Sequence, residues 1–215
     1  MKDYIIVAVI SYLCGSIPFG YILVRIFKGQ DVRQSGSGNI GATNVARTNP
    51  LLGLATLILD GAKGYVPLHF LLLQGISYDA QVTHFEKMLA LATLFVVLGH
   101  MFPAWLKFRG GKGVATAVGV FLALAPKPLG FSFLVFLLVL AATRYVSLAS
   151  MTSAFSFPLF FRWIEKVPAA QPIFVSAVVI SLLIIAKHHS NIRRLLNGTE
   201  SRFGKKPAEA LASED

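Results

Sequence analysis

The sequence predicts an all-α integral membrane protein with about seven transmembrane helices, its N-terminus outside the cell and its C-terminus in the cytoplasm. Of the 215 residues, 55% are hydrophobic and 14% are charged, and the mean hydropathy is +0.66. A chain of this size cannot hide so much apolar surface in one soluble core, so we expect lipid to be its main solvent. Its apolar residues also fall in runs near the length of about 20 residues that a membrane-spanning helix needs.

Seven apolar segments are the candidate spans. In chain order they are 4–27, 51–75, 88–106, 113–126, 129–142, 146–163 and 172–186. The fourth and fifth are short and are divided by Pro126 and Pro128, so one broken span or a re-entrant pair is the alternative, with five or six crossings. We expect residues 1–204 to form a single membrane-embedded domain and residues 205–215 to be a disordered charged tail.

The positive charges predict the orientation. Lys and Arg residues follow the first, third, fifth and seventh spans, whereas the other connections are charge-poor or mixed. The basic residues are Lys28, Arg33, Arg47, Lys107, Arg109, Lys112, Arg144, Lys187, Arg193, Arg194, Arg202, Lys205 and Lys206. Because short basic loops stay in the cytoplasm, this alternation favours an odd number of spans and places the basic connections and the tail on one side.

A glycine-rich loop at residues 35–47, reading SGSGNIGATNVAR, follows the first span. Its glycines permit a left-handed backbone and close approach of a ligand, and Arg47 adds a forked cation. Its short polar side chains are those of Ser35, Ser37, Asn39, Thr43 and Asn44. The pattern predicts an anion cradle, with a plain flexible loop as the alternative. A dinucleotide fold is excluded, because that fingerprint should follow a β-strand and not a membrane-length segment.

Two further polar clusters lie on the same predicted side. Residues 107–116 place glycines around Lys112 just before an apolar helix, which indicates an anion site or, alternatively, a basic anchor at the membrane surface. Residues 188–203 continue the last span, and on one helix His188, Asn191 and Arg194 would share a side. That row suits a phosphorylated substrate, and a lipid-attracting basic patch is the alternative. Ser147 begins the sixth span as a weaker candidate or a helix cap.

Ionisable residues inside the spans are few. Asp60 and Lys63 are three residues apart and would share a helix face, so they predict an internal ion pair, with contact to the ligand site as the alternative. His100 lies at the end of the third span, where a structural role is the simpler interpretation. His69 and His84 have no partner that the sequence identifies.

Together the three clusters resemble a known enzyme family. SGNIGATNVAR, then GHMFP followed by GGKGVAT, then the His-x-x-Asn-x-x-Arg run are similar to the bacterial acyl-phosphate-dependent glycerol-3-phosphate acyltransferases of the PlsY type. The resemblance covers nearly the whole chain. It implies a seven-helix enzyme of the inner (cytoplasmic) membrane, with its active site facing the cytoplasm. The implied reaction moves a fatty acyl group from acyl phosphate to the sn-1 hydroxyl of glycerol 3-phosphate and yields lysophosphatidic acid and phosphate.

The resemblance also implies roles for individual residues. The backbone from Gly38 to Asn44, which includes Asn39, Gly41, Ala42 and Thr43, would cradle the head of acyl phosphate. Ser37, Arg47, Lys112 and Arg194 would hold glycerol 3-phosphate. His188 and Asn191 would lie near the reacting hydroxyl, with Ser147 close by. The implied partners are the two substrates and membrane lipids, and we expect no cofactor, metal ion or nucleic acid.

The chemistry of an acyl phosphate suits these residue types. It is a mixed anhydride with a good leaving group, so positioning and charge neutralisation can carry catalysis without a protein nucleophile. No His is followed five residues later by Asp, so the H-x-x-x-x-D motif of acyl-CoA acyltransferases is missing. We therefore hypothesise that the departing phosphate takes the hydroxyl proton. The competing functions are an organophosphate anion transporter, which would place its site near the bilayer midplane, and a structural protein that binds anionic lipid.

Overall fold

The computed structural model describes residues 1–75 and 82–204, and the predicted tail at 205–215 lies outside them. Within these ranges the chain is helical and contains no β-strand. The helices are α1 (Lys2–Ser16), α2 (Phe19–Lys28), α3 (Ala42–Thr48), α4 (Pro50–Gly75), α5 (Val82–Met101), α6 (Val114–Leu124), α7 (Pro126–Thr143), α8 (Val146–Ile164), α9 (Pro172–Lys187) and α10 (His189–Leu196). The predicted all-α class is therefore confirmed for the described part of the chain.

Several helices are long and apolar enough to cross a bilayer. In the described ranges four segments qualify, and a fifth qualifies if α9 and α10, which meet at 51°, count as one bent span. The four are Lys2–Lys28, Pro50–Gln74, His84–Leu106 and Pro126–Thr143. Many large apolar side chains on these helices are exposed, among them Leu54, Ile58, Phe131 and Leu138. An outer surface of this kind suits lipid as the surrounding solvent.

The first predicted span is not one continuous helix. Helix α1 ends at Ser16, Ile17 takes an extended backbone, and α2 begins at Phe19. Pro18 causes the break, because its ring disfavours a helical conformation in the preceding residue and its nitrogen has no hydrogen to donate.

The boundary between the fourth and fifth predicted spans also differs from the prediction. Pro126 was expected to end the fourth span, but α6 stops at Leu124 and Pro126 begins α7. A proline is well tolerated at the first position of a helix, where its missing N–H has no acceptor in any case. Pro128 then lies in the first turn of α7, which runs for 18 residues without interruption.

The helices pack through close backbone contacts and a shared apolar core. A methyl group added at Gly119 of α6 would collide with the carbonyl of Gly61 in α4, so these two helices touch backbone to backbone. The core lies between α4, α5, α6, α8 and α9 and includes Leu68, Val96, Met101, Val120, Phe121, Phe157, Phe161 and Ile180. This packing determines where the polar connections at the ends of the helices meet.

Candidate functional site

Four connections that are distant in the sequence meet at one end of the helices. They are the glycine-rich segment before α3, the loop before α6, the start of α8, and the segment that holds α10 and residues up to Phe203. Lys112 donates from Nζ to Oδ1 of Asn191 at 2.6 Å, and Ser147 donates from Oγ to Oε1 of Glu200 at 2.6 Å. The backbone N–H of Phe203 donates to the carbonyl of Arg144 at 2.7 Å.

Glu200 is the centre of this cluster, although the sequence did not single it out. Its Oε1 accepts hydrogen bonds from Ser147 and from Nδ2 of Asn191 at 2.7 Å, and its Oε2 accepts one from Nε of Arg194 at 2.6 Å. Only 5% of its side chain is exposed. The sequence did contain a signal that could have identified it: Glu200 is the single acidic residue in the basic segment from Arg193 to Arg202.

The surroundings of Glu200 favour its ionised form. Burial by itself raises the pKa of a carboxyl group, but the hydrogen bonds from Ser147, Asn191 and Arg194 outweigh it, so the pKa of Glu200 lies below its ordinary value. The carboxylate thus links α8 to α10 as a charged acceptor.

Lys112 lies half-buried among positive charges. Burial is the main reason why its pKa falls from the ordinary 10.5 to about 8, and the charges of Arg194 and Arg47 lower it further while Glu200 opposes the change. Arg47 itself is exposed and lies beside Gly36, at the edge of the glycine-rich loop. Lys112, Arg47 and Arg194 therefore concentrate positive charge at one place, as an anionic ligand requires.

His188 lies at a break in the last predicted helix. A single helix was expected to carry His188, Asn191 and Arg194, but α9 ends at Lys187 and α10 begins at His189 with a bend of 51°. Asn191 and Arg194 still reach the same carboxylate. The His188 ring is buried, and its Nδ1 lies 2.7 Å from the carbonyl of Ile184. Because a carbonyl can only accept, Nδ1 carries the proton, and Nε2 of the neutral ring is left as an acceptor.

The glycine-rich loop is held together by the side chain of Asn44. Its Nδ2 donates to the carbonyls of Val32, Ser35 and Asn39 at 3.1, 3.0 and 2.9 Å, and its Oδ1 accepts from the N–H of Ser37 at 2.8 Å. Asn44 is buried, so its side chain shapes the loop from within.

The rest of the loop is more open to a ligand. Asn39 accepts the N–H of Gly41 at 2.8 Å, which shapes the approach to α3. Gly38 has a φ of +69°, a conformation that favours glycine. Ala42 and Thr43 begin α3, where the first backbone N–H groups of a helix have no acceptor within it. These amides are donors that the loop can offer to a ligand.

Ser147 does not cap α8. The helix begins at Val146 with Tyr145 as its capping residue, and the Ser147 hydroxyl turns to Glu200. The structure therefore brings Ser147, Lys112, Asn191 and Arg194 together. His188 joins them through its place next to α10, and Arg47 lies within electrostatic range of Lys112. Ser37 stays on the glycine-rich loop, where its N–H donates to Asn44.

The predicted internal ion pair is confirmed. Lys63 Nζ lies 2.7 Å from Oδ1 of Asp60, and both side chains are 3% exposed. His100 lies next to this pair. Within residues 1–75 and 82–204, no group of three or more His, Cys, Asp or Glu side chains has the arrangement to hold a metal ion.

A cavity of about 1310 Å³ opens beside the two glycine loops. Gly38 and Gly110 line it from the loops, and Arg33, Trp105 and Lys187 contribute basic and aromatic walls. It therefore offers both apolar and cationic surface, as an amphipathic anion would need, although Lys112, Asn191 and Glu200 do not line it.

Comparisons with known proteins give one consistent result. The family model for glycerol-3-phosphate acyltransferase matches residues 5–198. A glycerol-3-phosphate acyltransferase from Syntrophotalea carbinolica is 44% identical over 94% of this chain and 99% of its own, and one from Rhodopseudomonas palustris is 46% identical over 94% and 97%.

Two solved structures agree. The crystal structure of PlsY, an integral membrane glycerol 3-phosphate acyltransferase, in its glycerol 3-phosphate form aligns with a TM-score of 0.83 at 42% identity, covering 94% of this chain and 96% of that one. Its lysophosphatidic acid form aligns with a TM-score of 0.80 at 40% identity, covering 94% and 95%.

Proposed function

Since the chain belongs to the glycerol-3-phosphate acyltransferase family of the PlsY type, we propose that it transfers a fatty acyl group from acyl phosphate to the sn-1 hydroxyl of glycerol 3-phosphate. The products are lysophosphatidic acid and phosphate. The observation that carries this conclusion is the match over nearly the full length of a solved relative whose two forms are named for glycerol 3-phosphate and lysophosphatidic acid, the acceptor and the product of this reaction.

The cationic cluster suits the phosphate of glycerol 3-phosphate. Lys112, Arg47 and Arg194 supply the charge, with Ser37 at the edge of the glycine-rich loop, and they lie where four connections meet. Bidentate and charge-assisted contacts from such groups are strong and orient a phosphate. In this structure Arg194 is paired with the carboxylate of Glu200. Lys112 and Arg47 are therefore the cations more available to the anionic substrate.

Acyl phosphate is assigned to the glycine-rich loop. The backbone from Gly38 to Thr43, and in particular the amides at the start of α3, supports binding of the phosphoryl head, and Asn44 keeps the loop in shape. The neighbouring cavity, with its aromatic and basic walls, provides room for the acyl end near the membrane.

The reaction needs only positioning and charge neutralisation from the protein. The sn-1 oxygen attacks the acyl carbon, a new ester C–O bond forms, the bond between that carbon and the phosphate oxygen breaks, and the hydroxyl proton goes to the released phosphate. His188 Nε2 supports this step as an acceptor that orients the hydroxyl, and Asn191 and Ser147 lie close by as polar groups. The backbone amides at the start of α3 stabilise the charge of the departing phosphate, while Lys112 and Arg47 hold glycerol 3-phosphate.

We propose that the chain, as one domain over residues 1–204, crosses the inner membrane seven times, with its N-terminus outside and its site in the cytoplasm. Helices occupy all seven predicted segments, and the basic connections meet at one end, which supports this topology. Thiol labelling tests it in a Cys14→Ala background. Lys166→Cys, which is exposed, should react with an impermeant reagent on intact cells, and Lys107→Cys only after permeabilisation. The reverse order would overturn the orientation.

Phosphate release from the purified protein tests the reaction. With palmitoyl phosphate we expect release that depends on glycerol 3-phosphate, and we expect no acyl transfer when palmitoyl-CoA replaces the donor. If folded protein releases nothing with either donor, uptake of labelled glycerol 3-phosphate into sealed vesicles would then favour the transporter.

A further inference from the structure

Three ionisable side chains lie buried between the helices, outside the cluster described above. Asp60 and Lys63 belong to α4 and His100 to the end of α5, and each residue is at most 6% exposed. Asp60 Oδ1 lies 2.7 Å from Lys63 Nζ and 3.6 Å from His100 Nδ1. The second distance exceeds a hydrogen bond, so the carboxylate acts on the ring through its charge. Burying such groups is costly, and they persist where they have a task.

Asp60, Lys63 and His100 form a buried triad, and Lys63 at one end of it contacts the break between α1 and α2. Lys63 Nζ donates to the carbonyl of Ile17 at 2.7 Å and lies 5.6 Å from the ring centre of Phe19. The triad thus joins α4 to the point where α1 gives way to α2.

The other end holds the loop that carries Lys112. The carbonyl of His100 accepts the N–H of Gly111 at 3.1 Å, and the carbonyl of Met101 accepts the N–H of Gly110 at 3.2 Å. The imidazole itself lies against Gly111, since a methyl group added there would collide with Nε2 of His100. The imidazole ring of His100 therefore contacts the backbone at Gly111, the residue before Lys112.

We propose that Asp60, Lys63 and His100 are positioning residues that fix the loop at 110–113 so that it presents the Lys112 ammonium to the substrate phosphate. A plain ion pair within α4 would need neither the imidazole nor its contact with Gly111. This inference rests on the proposed function for its substrate, but the placement of Lys112 can be measured without turnover.

The variant that separates the two roles replaces both charges with apolar side chains, Asp60→Leu with Lys63→Met. Removing one charge would strand the other in the interior, whereas exchanging a buried pair for apolar groups of similar volume often preserves stability. The double variant should keep its melting temperature yet lose the charge that orients His100. Ser176→Ala is the matched control, because it removes a buried contact between α9 and α5, the 3.0 Å hydrogen bond to the Ala90 carbonyl, far from this loop.

The readout is amine labelling of Lys112 against pH, followed by mass spectrometry of its peptide, with Lys107 as the internal reference. The pKa of Lys112 is about 8 in the folded chain. In the double variant we expect the labelling midpoint to rise toward the ordinary value of 10.5, and kcat/KM for glycerol 3-phosphate to fall at least tenfold. In Ser176→Ala both should stay unchanged.

An unchanged midpoint and unchanged kcat/KM in a folded double variant would reduce the triad to a structural ion pair and overturn the proposal. If the double variant does not fold, His100→Gln carries the same test, because it removes the ring beside Gly111 without changing a carboxylate or an ammonium. Wild-type protein without acyltransferase activity would count against the proposed function alone, since the labelling midpoint would still report on the triad.

Discussion

Lys112 Nζ and Asn191 Oδ1 lie 2.6 Å apart, although 79 residues separate them in the chain. The ammonium can only donate, so it fixes the amide of Asn191 with its oxygen toward Lys112 and its nitrogen toward Glu200, 2.7 Å away. A single amide therefore connects the loop before α6 to the carboxylate that ties α8 and α10 together. A substrate phosphate that binds Lys112 competes with this contact.

Removing the Lys112 ammonium should weaken the reaction strongly. We expect Lys112→Ala to lower turnover by more than tenfold, a loss of over about 1.4 kcal/mol of transition-state stabilisation. Lys107→Ala, an exposed lysine at the start of the same loop, is the control and should remain near wild type. Near-normal rates for Lys112→Ala would remove this residue from the site.

The rate should fall on the alkaline side of pH 8. Lys112 has a pKa of about 8, so its positive charge is present below that pH and lost above it. The phosphate of the substrate titrates at about pH 6, so it is already fully ionised at pH 8 and does not contribute to the decline there. We expect kcat/KM to decline with an apparent pKa near 8, and the decline to vanish in Lys112→Arg, whose guanidinium stays charged. The same decline in the arginine variant would assign it to another group.

Arg47 should matter as much as Lys112. Its guanidinium is exposed beside the glycine-rich loop and within electrostatic range of Lys112, so Arg47→Ala should also lower turnover by more than tenfold, over about 1.4 kcal/mol. Arg25→Ala serves as the control, because Arg25 is exposed and, among the described residues, its side chain donates to the nearby carbonyl of Gly29. Equal rates for the two variants would exclude a specific role for Arg47.

Glu200 should support the fold as well as the site. In Glu200→Gln one carboxylate oxygen becomes an N–H₂ group, which would face Nε of Arg194 or Nδ2 of Asn191, donor against donor in either orientation. We therefore expect a loss of about 1–3 kcal/mol in stability and reduced activity. Glu165→Gln at the exposed end of α8 is the matched control. Because the pKa of Glu200 is lowered on folding, its contribution to stability is present above the pKa of the unfolded chain and is lost as the pH falls through the folded value. Melting temperatures of both variants across acid pH would test this.

Gly119 should tolerate no side chain. In Gly119→Ala the new methyl group meets the carbonyl of Gly61, and such overpacking costs about 1–3 kcal/mol. In the part of the chain that the structure describes, no atom lies within 4 Å of the methyl group that Gly130→Ala would add to α7. It should be neutral or stabilising, by up to about 1 kcal/mol, since alanine favours a helix over glycine. Thermal unfolding of both variants would decide, and equal melting temperatures would contradict the close contact of α4 and α6.

Much of the fold follows from local patterns. Apolar runs predicted helical segments in the right places, because their length and composition are properties of consecutive residues. The breaks between helices were harder to locate. Pro18 divides the first span, whereas Pro126 begins a helix and does not end one. A proline can stand either before or at the start of a helix, and the packing of the neighbouring segments decides between the two. The ion pair of Asp60 and Lys63 was predictable because helical spacing alone brings those residues together.

The sequence by itself determined the family, the membrane class and the set of polar clusters, because these depend on residue types and short spacings. Only the tertiary structure decided that Asn44 braces its loop from within, that Glu200 gathers Ser147, Asn191 and Arg194, and that His100 supports the loop before Lys112. The physical reason is that hydrogen bonds and charges act over a few ångströms of space. Partners such as Ser147 and Glu200, 53 residues apart in the chain, meet only after the helices have packed.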